Sequence, residues 1–129
     1  TCKDVGVICV ESGYDIHFAG AAGLDIKGTI LLGHVDTEAD AIAVIAALVQ
    51  LYREQGRYLE RIYKWANRVG VETVRAQVLD DLERRQALYA RFVYAQKFAQ
   101  IDPWAERVAG KDAHEFRPLA SIATAEAAE

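Results

Sequence analysis

The sequence is poor in the residues that build special-purpose proteins. Cysteine occurs twice in 129 residues, proline twice and methionine not at all. Two cysteines are too few for a disulfide-stapled scaffold, which favours a reducing, cytoplasmic setting. Positive charge is not in excess: fifteen lysines and arginines face nineteen carboxylates, for a formal net charge of −4. The net charge therefore gives no support for a surface for nucleic acid or anionic membrane as the main business of the chain. The longest apolar run, AIAVIAALVQLY at residues 41–52, falls short of the roughly 18–20 uncharged residues that span a membrane. Nothing within these residues reads as a secretory leader, P-loop, dinucleotide fingerprint, ordered Ser-His-Asp set or internal repeat. The histidines are scattered at 17, 34 and 114, without the i, i+4 spacing of a helical zinc motif. The chain starts on Thr1 rather than methionine, which reads as a piece of something longer.

About half of the residues are apolar, at 52%. A chain of this length and composition can bury roughly two thirds of its unfolded surface as one domain. Two regions differ in period. Residues 4–35 read as strands and glycine turns. DVGVICV is rich in β-branched residues and ESG makes a turn. YDIHFAG then alternates, with Tyr14, Ile16 and Phe18 on one face and Asp15 and His17 on the other. TILLGHV supplies a third strand. A helix then begins at the cap Thr37, with Glu38 and Asp40 in its first turn, an apolar series at Ile42, Ile45, Val49 and Tyr52, and Gly56 as its stop. RYLERIYKWANRVG reads as a second helix ended by Gly70. Residues 71–100 read as a long third helix, or two with a break near Asp80 and Asp81, stopped at the Asp102-Pro103 step. The fold class is α+β: a small N-terminal sheet of a hairpin plus a strand, then a helix and a mostly helical extension. The expected divisions are 1–56, 57–117 and a disordered tail at 118–129.

Candidate chemistry is sparse. If one strand runs through Cys2 and Cys9, they face opposite ways and stand about 23 Å apart, too far for a disulfide or a shared metal. Cys9 then reads as a small buried strand residue and Cys2 as an exposed terminal one. AGAAGLDIKG offers backbone amides and Lys27, which could cradle an anion, although on pattern alone a plain turn is the favoured reading. Arg84 and Arg85 read as a solvated helix face paired with Asp80, Asp81 and Glu83.

A resemblance carries the reading further. Asp4-Val5-Gly6-Val7 is similar to the tail of the signature of siroheme-dependent nitrite and sulfite reductases. That signature runs Cys-x3-Cys-x6 and then an acid, an aliphatic, a small and an aliphatic residue. SGYDIHFAGAAGLDIKGT resembles the strand-turn-strand and glycine-rich loop that follow the cysteines in that family. LVQLYREQGRYLERIYKWANRVG and QKFAQIDPWAER resemble the C-terminal region of the large subunit of assimilatory NAD(P)H-dependent nitrite reductases. The resemblance covers residues 3–107, nearly the whole chain.

Counting back from Asp4, the resemblance puts the last cluster cysteine four residues before Thr1. It therefore implies that neither Cys2 nor Cys9 is a cluster ligand, and that the cluster ligands and the basic substrate-binding residues lie upstream. No catalytic or metal-ligating residue is expected within the chain, and no cofactor is expected on it alone. For the full subunit the resemblance implies six-electron reduction of nitrite to ammonia. Its cofactors would be NAD(P)H, FAD, siroheme and a 4Fe–4S cluster. Its partners would be the rest of the large subunit and the small subunit, with no nucleic acid and no membrane. Gly20, Ala21 and Gly23 are the implied cofactor-side backbone, and Lys27 an implied partner for a siroheme carboxylate. Related reductases place an asparagine where Ala21 stands, and the first residue of the glycine pair is here Ala19, so only backbone contacts carry over. Two other readings stay open: a helical subunit-interface or homodimerisation module, and a small anion-binding α+β module.

Overall fold

The hairpin forms where the alternation predicts it. In the computed structural model, which describes residues 2–99 and 102–110, β1 (Val5–Val10) and β2 (Gly13–Phe18) pair antiparallel. Gly13, at φ 144, closes the turn in a conformation that suits glycine, and a side chain there would strike the backbone of Val35 and Asp36. β5 (Ile30–Val35) adds to the other side of β2, giving a three-stranded antiparallel sheet in the order β1-β2-β5. The register slips between Ile16 and His17, leaving Leu32 as the extra residue of a bulge in β5. Arg75 donates to the carbonyls of Leu31 and Leu32 at 3.1 and 2.8 Å, so polar groups of this edge strand are satisfied. The glycine-rich segment is more ordered than a plain loop. It contains a two-residue ribbon of β3 (Ala21–Ala22) against β4 (Ile26–Lys27).

Helices cover one face of the sheet. Thr37 caps α1 (Glu38–Gln55), its hydroxyl accepting from the Asp40 amide at 3.1 Å. α2 (Ile62–Val69) ends at Gly70, and α3 (Val71–Arg75) runs into a π-helical turn at Ala76–Asp80. The chain breaks at Asp81, whose carboxylate caps α4 (Leu82–Ala99) through the Arg84 amide. The adjacent Arg85 donates to the Leu79 carbonyl. Ile16, Phe18 and Leu32 of the sheet meet Val44 and Leu48 of α1, Trp65 of α2, Val74, Val78 and Leu88 in one core, all essentially without exposure. The side chain of Leu79 lies directly over Gly33, where an added Cβ would come within 2.2 Å of it.

Thr1–Ala95 form one compact unit, and Gln96–Glu129 form a second. In the second, Asp102 caps α5 (Pro103–Val108) by accepting from the Trp104 and Ala105 amides, and the Arg107 guanidinium lies 5.8 Å from the Trp104 ring centre. The expected tail at 118–129 and His114 lie outside the described residues. Among the described residues no helix is long and apolar enough to cross a membrane.

Two sequence expectations need correction. The core-facing stripe of α1 is Ala41, Val44, Ala47, Leu48 and Leu51, whereas Ile42 is 51% exposed and Ile45 and Tyr52 are half-buried. The buried stripe mixes alanines with Val44, Leu48 and Leu51, while Ile42 and Ile45 lie on its flank. Cys9 is exposed, as is Cys2. Cys9 does point to the helix-covered face, since it pairs with Tyr14, two residues from buried Ile16. The helices do not reach that far over the edge strand, and Val7 on the same face is 41% exposed.

Candidate functional site

The glycine-rich segment and the start of α2 enclose a cavity of about 310 Å³. One wall is Ala21–Asp25, and the other is Arg61, Tyr63 and Lys64. A hydrogen bond joins the walls: the Tyr63 hydroxyl donates to Asp25 Oδ2 at 2.5 Å. That bond to the carboxylate holds the Tyr63 proton more tightly, raising its pKa above the ordinary tyrosine value. Arg61 Nη2 donates to Asp4 Oδ2 at 2.6 Å, tying the start of α2 to the segment before β1. Lys64 lies beside the Tyr63 ring, its ammonium 5.8 Å from the ring centre.

The position of α2 is set by a polar clamp in the preceding turn. Arg68 makes a two-pronged contact with Glu60, Nε to Oε1 at 2.8 Å and Nη2 to Oε2 at 2.6 Å, and reaches the Gln55 carbonyl at 3.0 Å. The Arg57 amide also donates to Glu60, and the Tyr52 hydroxyl donates to its carbonyl. Arg68 above all pulls the Glu60 carboxyl down from 4.5 to about 2. Because the folded pKa is depressed, the contribution is fully present above about pH 4.5 and lost as the pH falls towards 2. Stability to urea is expected to drop through that window. Arg68→Gln should flatten this part of the profile, and an unchanged slope in that variant would remove the clamp from the account.

The four site residues read from the sequence separate into two pairs. Ala21 and Gly23 line the cavity; at Gly23 an added Cβ would meet nothing within 4 Å. Gly20 is buried elsewhere. Its amide donates to the Lys3 carbonyl at 3.0 Å, and an added Cβ would lie 2.5 Å from that oxygen. Lys27 is exposed on β4 and is not part of the lining. Sequence reasoning missed Arg61, Tyr63 and Lys64, whose available signal was the cluster of cations and an aromatic in RIYK. On the outer face of the sheet His34 Nδ1 lies 2.8 Å from Asp15, and this hydrogen bond raises the His34 pKa. Among the described residues no group of three or more His, Cys, Asp or Glu is placed to hold a metal ion.

The sequence profile of the nitrite and sulphite reductase 4Fe-4S domain matches residues 1–86, two thirds of the chain. The chain belongs to that family. Among its relatives, the nitrite reductase (NAD(P)H) of Bacillus subtilis is 35% identical over 102 residues, which are 79% of this chain and 12% of that protein. The assimilatory nitrate reductase electron transfer subunit of the same organism is 33% identical over 63% of this chain and 12% of its own length. The nitrite reductase (NAD(P)H) large subunit of Klebsiella oxytoca is 30% identical over 61% of the chain and 8% of its own length. The chain thus spans about an eighth or less of the relatives it matches. No solved structure matches it.

Proposed function

We propose that this family member is the C-terminal part of a cytoplasmic NAD(P)H-dependent nitrite reductase large subunit. The observation that carries this reading is the 35% identity to the Bacillus subtilis enzyme across 79% of the chain. In the full subunit, NAD(P)H, FAD, siroheme and a 4Fe–4S cluster would bind largely to the upstream polypeptide, and a small subunit would dock on the assembly. Siroheme with its cluster supplies the redox chemistry that takes nitrite to ammonia. The 129 residues alone are inactive in this reading, because the resemblance places the family's cluster-ligand positions before Thr1.

The cavity fits the edge of such a macrocycle. Its size suits peripheral substituents rather than a whole tetrapyrrole. Ala21, Ala22 and Gly23 leave its backbone wall open to close approach, and the opposite wall carries two cations. The work of these residues is to hold and orient an anionic edge. Gly23→Val in the full-length subunit should lower siroheme per polypeptide several-fold, read from the absorbance of the extracted pigment. Occupancy equal to wild type would remove the loop from the cofactor site. A full-length protein that oxidises no NAD(P)H on addition of nitrite would overturn the functional assignment itself.

The uncovered edge strand favours an interface role alongside. Val7, Ile8 and Val10 are each about 40% exposed on β1, and its outer side has no neighbouring strand among the described residues. The partner for this edge, in the same reading, is the remainder of the large subunit rather than a second copy of the chain.

A further inference from the structure

We propose that Lys64, with Arg61 beside it, is the carboxylate-binding cation of the loop cavity. This rests on the cofactor-side reading above and replaces Lys27 as the charge that a tetrapyrrole carboxylate would meet. The first observation is position. Lys64 and Arg61 line the cavity together with Ala21 and Gly23, and Lys27 does not.

The second observation is charge. Among the described residues no carboxylate stands within ion-pair distance of Lys64, whose side-chain neighbour is the face of the Tyr63 ring. Arg61 spends one donor on Asp4 and keeps others in its planar fork for a second acceptor. One carboxylate, Asp25, is also on the wall and would repel an anion. The Tyr63 hydroxyl donates to it, which spreads its charge and fixes it on the loop side. Arg61 is thus offset by Asp4 and Asp25 is held by Tyr63, which leaves Lys64 as the lining cation with no carboxylate partner. The matching ligand is an anion whose carboxylates project from a flat body: the body rests on the side-chain-poor backbone of Ala21–Gly23 and the carboxylate reaches Lys64 and Arg61.

The test uses the full-length subunit prepared without siroheme, with uroporphyrin, a polycarboxylate tetrapyrrole, as a fluorescent probe. Lys64→Gln should weaken uroporphyrin binding about tenfold, the loss of one charge-assisted contact. Lys64→Arg and Lys27→Gln should stay within about twofold of wild type, since one keeps the charge and the other lies outside the cavity. Wild-type affinity in Lys64→Gln, or a larger loss in Lys27→Gln, overturns the inference. Inorganic phosphate at matched ionic strength should displace the probe no better than chloride; strong displacement would mark a free-anion site and overturn the carboxylate assignment. The two readings fail separately. If Gly23→Val loses siroheme while Lys64→Gln binds uroporphyrin normally, the loop reading stands and this one falls.

Discussion

Replacing Trp65 with alanine is expected to cost about 3–5 kcal/mol of stability. That is a large share of the roughly 5–15 kcal/mol available to a domain of this kind. Trp65 has no exposed surface, and its ring meets Tyr52 edge-on, with centres 5.5 Å apart and planes at 64°. It is the largest side chain in the core, at the point where α2 meets α1 and the sheet. No relaxation of its neighbours fills the space of an indole, so both burial and contact are lost. Trp65→Phe should cost much less. The indole Nε1 is buried without a hydrogen-bond partner, and phenylalanine removes that unsatisfied donor along with part of the packing. Urea unfolding followed by far-UV circular dichroism measures both. A Trp65→Ala cost below about 1 kcal/mol would show that α2 is not anchored through this residue. The site would register the same change, because Tyr63 and Lys64 sit on α2 beside Trp65.

Local signals in the sequence located most elements, and long-range ones located the site poorly. The alternation Tyr14-Ile16-Phe18 carries its own face assignment, because a strand buried on one side must repeat every two residues. Thr37, Gly56 and Gly70 act within a few residues of themselves, and each marks a helix end. α1 was harder to phase. AIAVIAALVQL is apolar around most of its circumference, so periodicity could not choose between the stripe at Ile42 and the one at Val44. Cys9 was misread for a different reason: strand character was taken to imply burial, but burial also depends on how far the helices extend over the edge strand. The π-helical turn at Ala76–Asp80 has no local cue at all. The cavity illustrates the limit most clearly. Tyr63 meets Asp25 across 38 residues of sequence and Arg61 meets Asp4 across 57, and no spacing rule brings them together. Lys27 is close to the loop in sequence and pairs with Ala21 across the ribbon, yet it is Lys64, distant in sequence, that lines the cavity.

Gly20→Val is expected to destabilise the chain by about 2–4 kcal/mol, with a cause unrelated to any cofactor. A Cβ at this position would lie 2.5 Å from the Lys3 carbonyl oxygen, 2.9 Å from the Cys2 carbonyl carbon and 2.8 Å from Thr29 Cγ2. Two of those neighbours are backbone and cannot rotate aside. The chain would have to part where the amides of Ala19 and Gly20 donate to the carbonyls of Asp4 and Lys3 at 2.9 and 3.0 Å. These bonds continue the β1–β2 pairing beyond Val5 and Phe18. Ala19 just before is already held at φ 63, a left-handed conformation that a glycine adopts without strain. A second strained residue at 20 would therefore fall on a segment with little slack. Loss of the pairing would also release Asp4, and with it the ion pair that holds Arg61 at the cavity. Gly23→Val is the contrasting case, with open space around an added Cβ and an expected stability change under about 0.5 kcal/mol. Urea midpoints for the two variants, together with hydrogen exchange at the Ala19 and Gly20 amides, separate the roles. If Gly20→Val unfolds at the wild-type midpoint with those amides still protected, the glycine is not a packing residue, and its place in the account returns to the cofactor side of the loop.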